Sequence, residues 1–254
     1  MMKLLIHLLF ASVIALASML RLPASMSTEM GGQQVAQETE PTDPGTPKGT
    51  SEPAGTRPES TCPPTETPLT AINHGNESDF TLAEYPIFFF YNPYSRENLD
   101  AIEFSLYDRA ERRTIYRTEI EPRENPGIIQ LRIPEQADYG LEVNQTYRWY
   151  LTAYCSERRT DGPDVEINGW IHRKPMTEQL EAELENPSIP QYITYMNEGI
   201  WYDAVSLLAQ SYASNPQNQT FKEAWENLLQ ALGREHLSQE PLINPVVSGG
   251  EADE

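Results

Sequence analysis

Apolar positions between residues 62 and 174 fall in short runs separated by turn residues, the pattern of strands without intervening helices. The runs predict strands at 69–72, 80–83, 87–91, 102–107, 114–120, 128–133, 147–155 and 165–172. The polar stretch 108–113 reads as a hairpin turn, and Asn168-Gly169 as a candidate bulge. So many short strands at this spacing predict an antiparallel β-sandwich. In the longest run, Tyr147, Trp149, Leu151, Ala153 and Cys155 alternate toward one face, the expected core face. Arg148, Tyr150, Thr152 and Tyr154 take the other. Leu141, six residues before Tyr147, resembles the tyrosine corner of immunoglobulin-like and fibronectin-type sandwiches.

After Lys174 the apolar period becomes helical. Thr177 is placed to cap a short helix with Leu180 and Leu184 on one side, and Pro187 ends it. Ser188 is placed to cap a second, and Gly199 marks the turn into a third that runs from Trp201 to about Tyr212. Thr220 and Glu223 form a candidate capping box for a fourth, with Gly233 at its C-terminal turn. Gly199, Trp201, Ala204, Leu208 and Pro216 are spaced like half of a tetratricopeptide repeat. One such repeat cannot bury its own apolar faces. The run Phe88-Phe89-Phe90-Tyr91 is apolar on both faces of its strand, and Tyr150 and Tyr154 add rings to a face that is normally polar. The helices are therefore expected to cover one of these faces. The predicted class is α+β, an immunoglobulin- or fibronectin-like antiparallel sandwich (62–174) followed by a short helical domain (175–240).

The ends read differently. Met1-Met2-Lys3 precedes the apolar run 4–16, the form of a signal peptide occupying 1–27. Ala15-Leu16-Ala17 and Ala24-Ser25-Met26 are candidate cleavage sites, and a retained membrane anchor is the alternative. Residues 28–61, rich in Gln, Glu, Thr, Pro and Gly, read as a disordered linker, and 241–254 as a disordered acidic tail. Export makes a disulfide the natural reading of the two cysteines, Cys62 and Cys155; two free thiols with a redox or metal role are the alternative.

A formal net charge of −20 repels phosphate backbones and anionic lipid, so nucleic acid is not an expected partner. The N-terminal segment is expected to meet membrane only as signal or anchor. No HExxH, P-loop, GxGxxG or GxSxG pattern occurs, and His74, His172 and His236 are far apart. Glu84, Glu103 and Asp108 are the acids to test for catalysis, and Asp161-Gly162-Pro163-Asp164 reads as a turn before a calcium loop. No cofactor, metal or catalytic activity is expected. Candidate binding residues are Tyr150, Tyr154, Trp201 and Tyr202, whose rings could stack on sugars or grip a peptide. The alternative is that they seal the sandwich–helix interface.

Three strings resemble an exported cyanobacterial family defined as a domain of unknown function, number 928. They are Cys62-Pro63 with Pro68-Leu69-Thr70-Ala71, the run from Tyr85 through Pro86 to Tyr94, and the run from Glu198 through Trp201 to Ala204. Tyr147-Arg148-Trp149-Tyr150 and Gly169-Trp170 lie between them in matching order. The resemblance extends from Cys62 to about Pro241, and Phe89 stands where the family is expected to carry tryptophan. It implies a bacterial exported protein and supplies no activity or site residue. The expected function is a non-catalytic interaction or scaffold protein of the bacterial envelope, periplasmic or secreted, whose partner is another protein or a glycan. A carbohydrate-binding module and a hydrolase with an unfamiliar active site are the alternatives.

Overall fold

A computed structural model describes residues 49–53, 61–75, 79–156, 162–245 and 247–251, the last four by backbone alone. The expected signal segment lies outside the described residues, as does the linker apart from 49–53 and 61. The strands are β1 (Thr70–Ala71), β2 (Phe80–Thr81), β3 (Ile87–Asn92), β4 (Ala101–Asp108), β5 (Thr114–Ile120), β6 (Gly127–Arg132), β7 (Thr146–Tyr154) and β8 (Val165–Arg173). After four helices come β9 (Leu242–Ile243) and β10 (Val247–Glu251). One sheet has the order β1-β3-β6-β9 and the other β10-β5-β4-β7-β8-β2. Pairing is antiparallel except for β2 on β8 and β9 on β6.

The two sheets bury a shared core, as a sandwich does. Phe88 and Phe90 from β3 meet Phe104 and Trp149 from the larger sheet, with ring centroids 4.8 Å apart for Phe88–Phe104 and 5.3 Å for Phe90–Trp149. Tyr147, Trp149, Leu151 and Ala153 all point into this core, as their alternation predicts. The hydroxyl of Tyr147 accepts a hydrogen bond from the backbone N–H of Glu142 at 2.8 Å, which ties the strand to the turn before it. Cys62 and Cys155 are disulfide-bonded, with Cα atoms 5.0 Å apart. Closing so long a loop limits the unfolded chain, a contribution of ~4 kcal/mol in the chain-entropy model.

Asn168-Gly169 is not a bulge: β7 and β8 pair without a register shift through Trp149 and Gly169. Gly169 is needed because a Cβ there would lie 2.3 Å from the Trp149 ring. The irregularity falls instead between Leu106 and Tyr107, at the mouth of the 108–113 hairpin.

The helices are α1 (Glu178–Leu184), α2 (Gln191–Asn197), α3 (Trp201–Ser214) and α4 (Gln219–Ala231). Thr177 caps α1 as expected, its side chain accepting from the Leu180 N–H. Asn218, rather than Thr220, caps α4, and Pro190 rather than Ser188 precedes α2. In both cases the true start lies where the chain leaves the preceding turn, and a cap is defined by that exit. Gly199 and Gly233 take φ of +71° and +69°, which suits the turns they were expected to make.

The helices cover β3 and leave Tyr150 and Tyr154 uncovered. Ile87, Phe89 and Tyr91 form a second core with Val205 and Leu208 of α3 and Trp225 and Leu228 of α4. So β3 is buried on both faces, and each large side chain buried there is worth about 1.5–3 kcal/mol. Residues 62–174 and 175–240 lie within one compact unit, Asp43–Glu254.

Two segments expected to be disordered pair with the sheets. Thr50 bridges Asn168 on β8, and the Ser51 carbonyl accepts from the Ala71 N–H, so residues 50–51 run from one sheet to the other. β9 pairs with β6 and β10 with β5, although both lie in the expected tail. A two-residue strand gains its hydrogen bonds from a partner far along the chain, and local composition carries no trace of that partner.

Candidate functional site

The strongest concentration of unusual chemistry lies where β2 and the start of β3 meet α2 and α3. Thr81 ends β2 with its hydroxyl donating to Asp203 Oδ2 at 2.7 Å. The Leu82 N–H donates to the same oxygen at 3.2 Å, and Thr81 Oγ1 accepts from the Ala83 N–H. Asp203 is in the first turn of α3, where the helix dipole favours a carboxylate. Burial nevertheless raises its pKa to about 6, against the lowering effect of its Thr81 and Leu82 bonds.

Asp203 lines a cleft of about 200 Å³. Pro86, Ile87 and Leu207 give the cleft apolar surface, Tyr85 and Tyr195 give it rings, and exposed Arg132 gives it a cation. Asp203 is the one carboxylate among the residues that line it. Both bonds from Thr81 and Leu82 fall on Oδ2, and Asp203 is among the residues that line the cleft.

A buried polar node lies beside the cleft. Tyr202 is fully buried, and its hydroxyl accepts from Trp149 Nε1 at 2.8 Å and donates to the Trp170 carbonyl at 3.1 Å. One side chain of α3 thus bonds two strands of the larger sheet. Burial, and then the nearby charge of Asp79, push its hydroxyl pKa well above the usual tyrosine range. Asp79 is 2% exposed, and its Oδ2 accepts from Asn73 Nδ2 at 2.8 Å and the Gly75 N–H at 3.0 Å. Burial raises its pKa to about 7. Its Oδ1 and the Oδ1 of Asn73 find no partner among the described residues. A protonated Asp79 supplies a donor in a node otherwise rich in acceptors.

The four aromatic candidates are split between two places. Tyr150 and Tyr154 are half-buried on the outer face of the larger sheet. There Arg148 lies over the Tyr150 and Trp170 rings at 5.3 and 4.4 Å, and Arg117 over Tyr107 at 5.9 Å. Tyr107 and Tyr150 meet edge-on at 80°, and the Tyr150 hydroxyl donates to Glu111. Trp201 is half-buried at the start of α3, stacked 5.0 Å from His74, while Tyr202 belongs to the core.

The acids singled out from sequence are engaged elsewhere. Glu84 pairs with Arg173 at 3.6 Å, Glu103 with Arg117 at 3.7 Å, and Asp108 caps its own hairpin through Arg112 N. Asp164 approaches Cys62 and Cys155, but both sulfurs are spent in the disulfide, and Asp164 bonds the backbone N–H of Thr61 and Cys155. Burial lowers the pKa of His172, with Lys174 and Arg109 adding to the effect, and its Nδ1 meets Thr146 Oγ1 at 2.9 Å.

Sequence reading missed Asp79, Asn73, Thr81 and Asp203. One signal was available for Asp203: it is an acid flanked by Tyr202 and Ala204 in a helix that must press an apolar side on the sandwich. No curated protein and no solved structure matches the chain. The family model described as Domain of Unknown Function (DUF928) matches residues 52–242, which takes in β1 to β8, all four helices and the Asp203 cleft, and the chain belongs to that family.

Proposed function

We propose that this is an exported, non-catalytic interaction protein of the bacterial envelope, with sandwich and helices acting as one rigid binding scaffold. The observation that carries the reading is the double burial of β3, which joins the helices to the sandwich and forms a cleft along the seam. The disulfide supports an oxidising, exported location. Among the described residues no helix is long and apolar enough to cross a membrane. In the finer version of the reading the sandwich is immunoglobulin-like, supported by the Tyr147–Glu142 bond at the strand corner. The helical part is tetratricopeptide-like, supported by fully buried Ala204 between packed helices.

Sugar binding on the outer sheet face is less well supported. Stacking on a glycan needs rings presented flat, whereas Tyr107 and Tyr150 are nearly perpendicular and Arg148 already lies over Tyr150 and Trp170. Hydrolysis by a carboxylate pair needs a second acid in the cleft beside Asp203.

The test is site-specific crosslinking in the intact envelope, with a photoreactive residue in place of Gln210 at the cleft or Tyr150 on the sheet face. A discrete protein adduct from the Gln210 position is expected. No adduct from either position would overturn the interaction reading, and a glycan adduct at Tyr150 would favour the carbohydrate-binding one.

A further inference from the structure

We propose that the cleft receives one basic side chain, a lysine or arginine of a partner protein, with its charged head at Asp203 and its stem along Ile87 and Leu207. The inference rests on the interaction reading above and names the chemistry of the contact.

Size argues first. Pockets that enclose drug-sized ligands run to roughly 300–1,000 Å³, and this one is about 200 Å³. That volume suits a single long side chain better than a whole organic ligand. Its lining suits an amphipathic chain. Lysine and arginine carry an apolar stem behind a charged head, and the cleft pairs the apolar surface of Ile87 and Leu207 with one acid. Tyr85 and Tyr195 add aromatic residues to the lining, side chains on which a cation can rest.

Charge argues next. The groups around Asp203 are the Thr81 hydroxyl and Leu82 N–H, Tyr195 from α2, Tyr202 beside it, and Arg132 from β6. Glu84, next to Tyr85, is paired with Arg173. Arg132 is exposed, so water and salt screen it, whereas Asp203 is partly buried and its carboxyl is desolvated enough to titrate at about 6, so solvent screens it less. A chain of net charge −20 also draws basic partners and repels acidic ones during encounter. Burial that holds the Asp203 pKa near 6 is a cost that an incoming cation offsets.

The experiment titrates the full chain with Nα-acetyl-lysine amide, followed by NMR shifts of Tyr195 and Ser206, with the neutral Nε-acetylated analogue as control. Saturable shifts are expected with the amine only. Binding should strengthen at least threefold from pH 5 to pH 8 as Asp203 ionises, and Asp203→Asn should weaken it about tenfold. Equal binding of the neutral analogue, or no saturable shift, overturns the proposal. Should Asp203→Asn fail to fold, as judged by near-UV circular dichroism, Gln210→Lys on the exposed rim decides. That variant should weaken amine binding severalfold, and unchanged binding overturns the proposal. An envelope crosslink from position 210 without amine binding would sink this inference and leave the interaction reading standing. Amine binding without any crosslink would leave a cation site in the cleft but overturn both the interaction reading and the partner side chain proposed for it.

Discussion

At the residue scale, Tyr202 is one of two neighbouring polar groups that hold α3 to the sandwich, Asp203 being the other. The Tyr202 hydroxyl is the partner of a buried Trp149 N–H and of the Trp170 carbonyl. Tyr202→Phe therefore strands a buried donor and acceptor, and urea denaturation should show a loss of ~1–3 kcal/mol. Tyr150→Phe removes bonds to exposed Glu111 and to Arg148 at a half-buried site and should cost less, ~0.5 kcal/mol. Equal losses would mean that Tyr202 is not a structural bolt. The two raised acids make a second prediction. Asp79 and Asp203 have folded pKa values of about 7 and about 6, above the unfolded value of 3.8. Between these limits the folded chain holds more protons than the unfolded one, so their contribution is complete below about pH 4 and is lost as pH rises through 6 to 7. The loss is of order several kcal/mol across the window, the larger share from Asp79, so Asp79→Asn should roughly halve it. A wild-type stability that rises over the same range, with no difference in the variant, would contradict the assignment. Asp79 carries no sign in the sequence, and Asp203 only its place between Tyr202 and Ala204 on a helix that must press on the sandwich. A carboxylate's burial is set by what folds over it, and Asp203 meets Thr81 across more than a hundred residues of chain.

At the element scale, strands β3 to β8 fall within a residue or two of the runs that predict them, because alternation is a local signal that burial on one face reinforces. Helices α1 to α4 were legible for the same reason. Edge pieces were not: β9, β10 and the Thr50 bridge owe their place to distant partners. Glycines show the same limit. Gly169 looks like a bulge residue in sequence, yet its role is to make room for the Trp149 ring. Gly169→Ala must push the ring or the strand aside, and small-to-large changes of this kind cost ~1–3 kcal/mol. Gly127→Ala would meet Ile243 Cδ1 at 2.4 Å and the Pro241 carbonyl at 2.8 Å, so its strain should fall on the β6–β9 pairing. Hydrogen exchange separates the two. Gly127→Ala should speed exchange of the Ile128 N–H, which bonds to the Pro241 carbonyl, while the β7–β8 ladder stays protected. Gly169→Ala should open β7–β8 instead. If both variants loosened the same strands, the two packing roles would not be distinct.

At the scale of the whole molecule, β3 is a wall shared by sandwich and helices, beside the Tyr202 and Asp203 bonds that tie α3 to β7, β8 and β2. β3 puts Phe88 and Phe90 into one core and Ile87, Phe89 and Tyr91 into the other. Five consecutive large apolar residues in a chain of mostly alternating strands were the visible sign that something must cover the second face. The identity of the cover followed from the helical segment being too short to bury its own apolar side. Its placement on β3 rather than over Tyr150 fits the two faces: Arg148, Arg117 and Glu111 already engage the tyrosines of the outer face, whereas Phe89 packs into an apolar cluster with the helices. A chain cut after Lys174 loses α3 and α4 together with Tyr202 and the β9 and β10 edges. It exposes Ile87, Phe89 and Tyr91 as a contiguous apolar strip beside an unpaired strand edge, the combination that drives association between chains. The shortened protein should aggregate or bind a hydrophobic dye at concentrations where the full chain does neither. Phe89→Ser and Tyr91→Ser in the shortened chain should restore part of its solubility, while the same pair in the full chain should destabilise it by several kcal/mol, since there they hollow out the second core. That reversal of sign is the decisive reading. A shortened chain that stays soluble and folded with Phe89 and Tyr91 intact would mean the sandwich stands alone and the helices are a separate attachment.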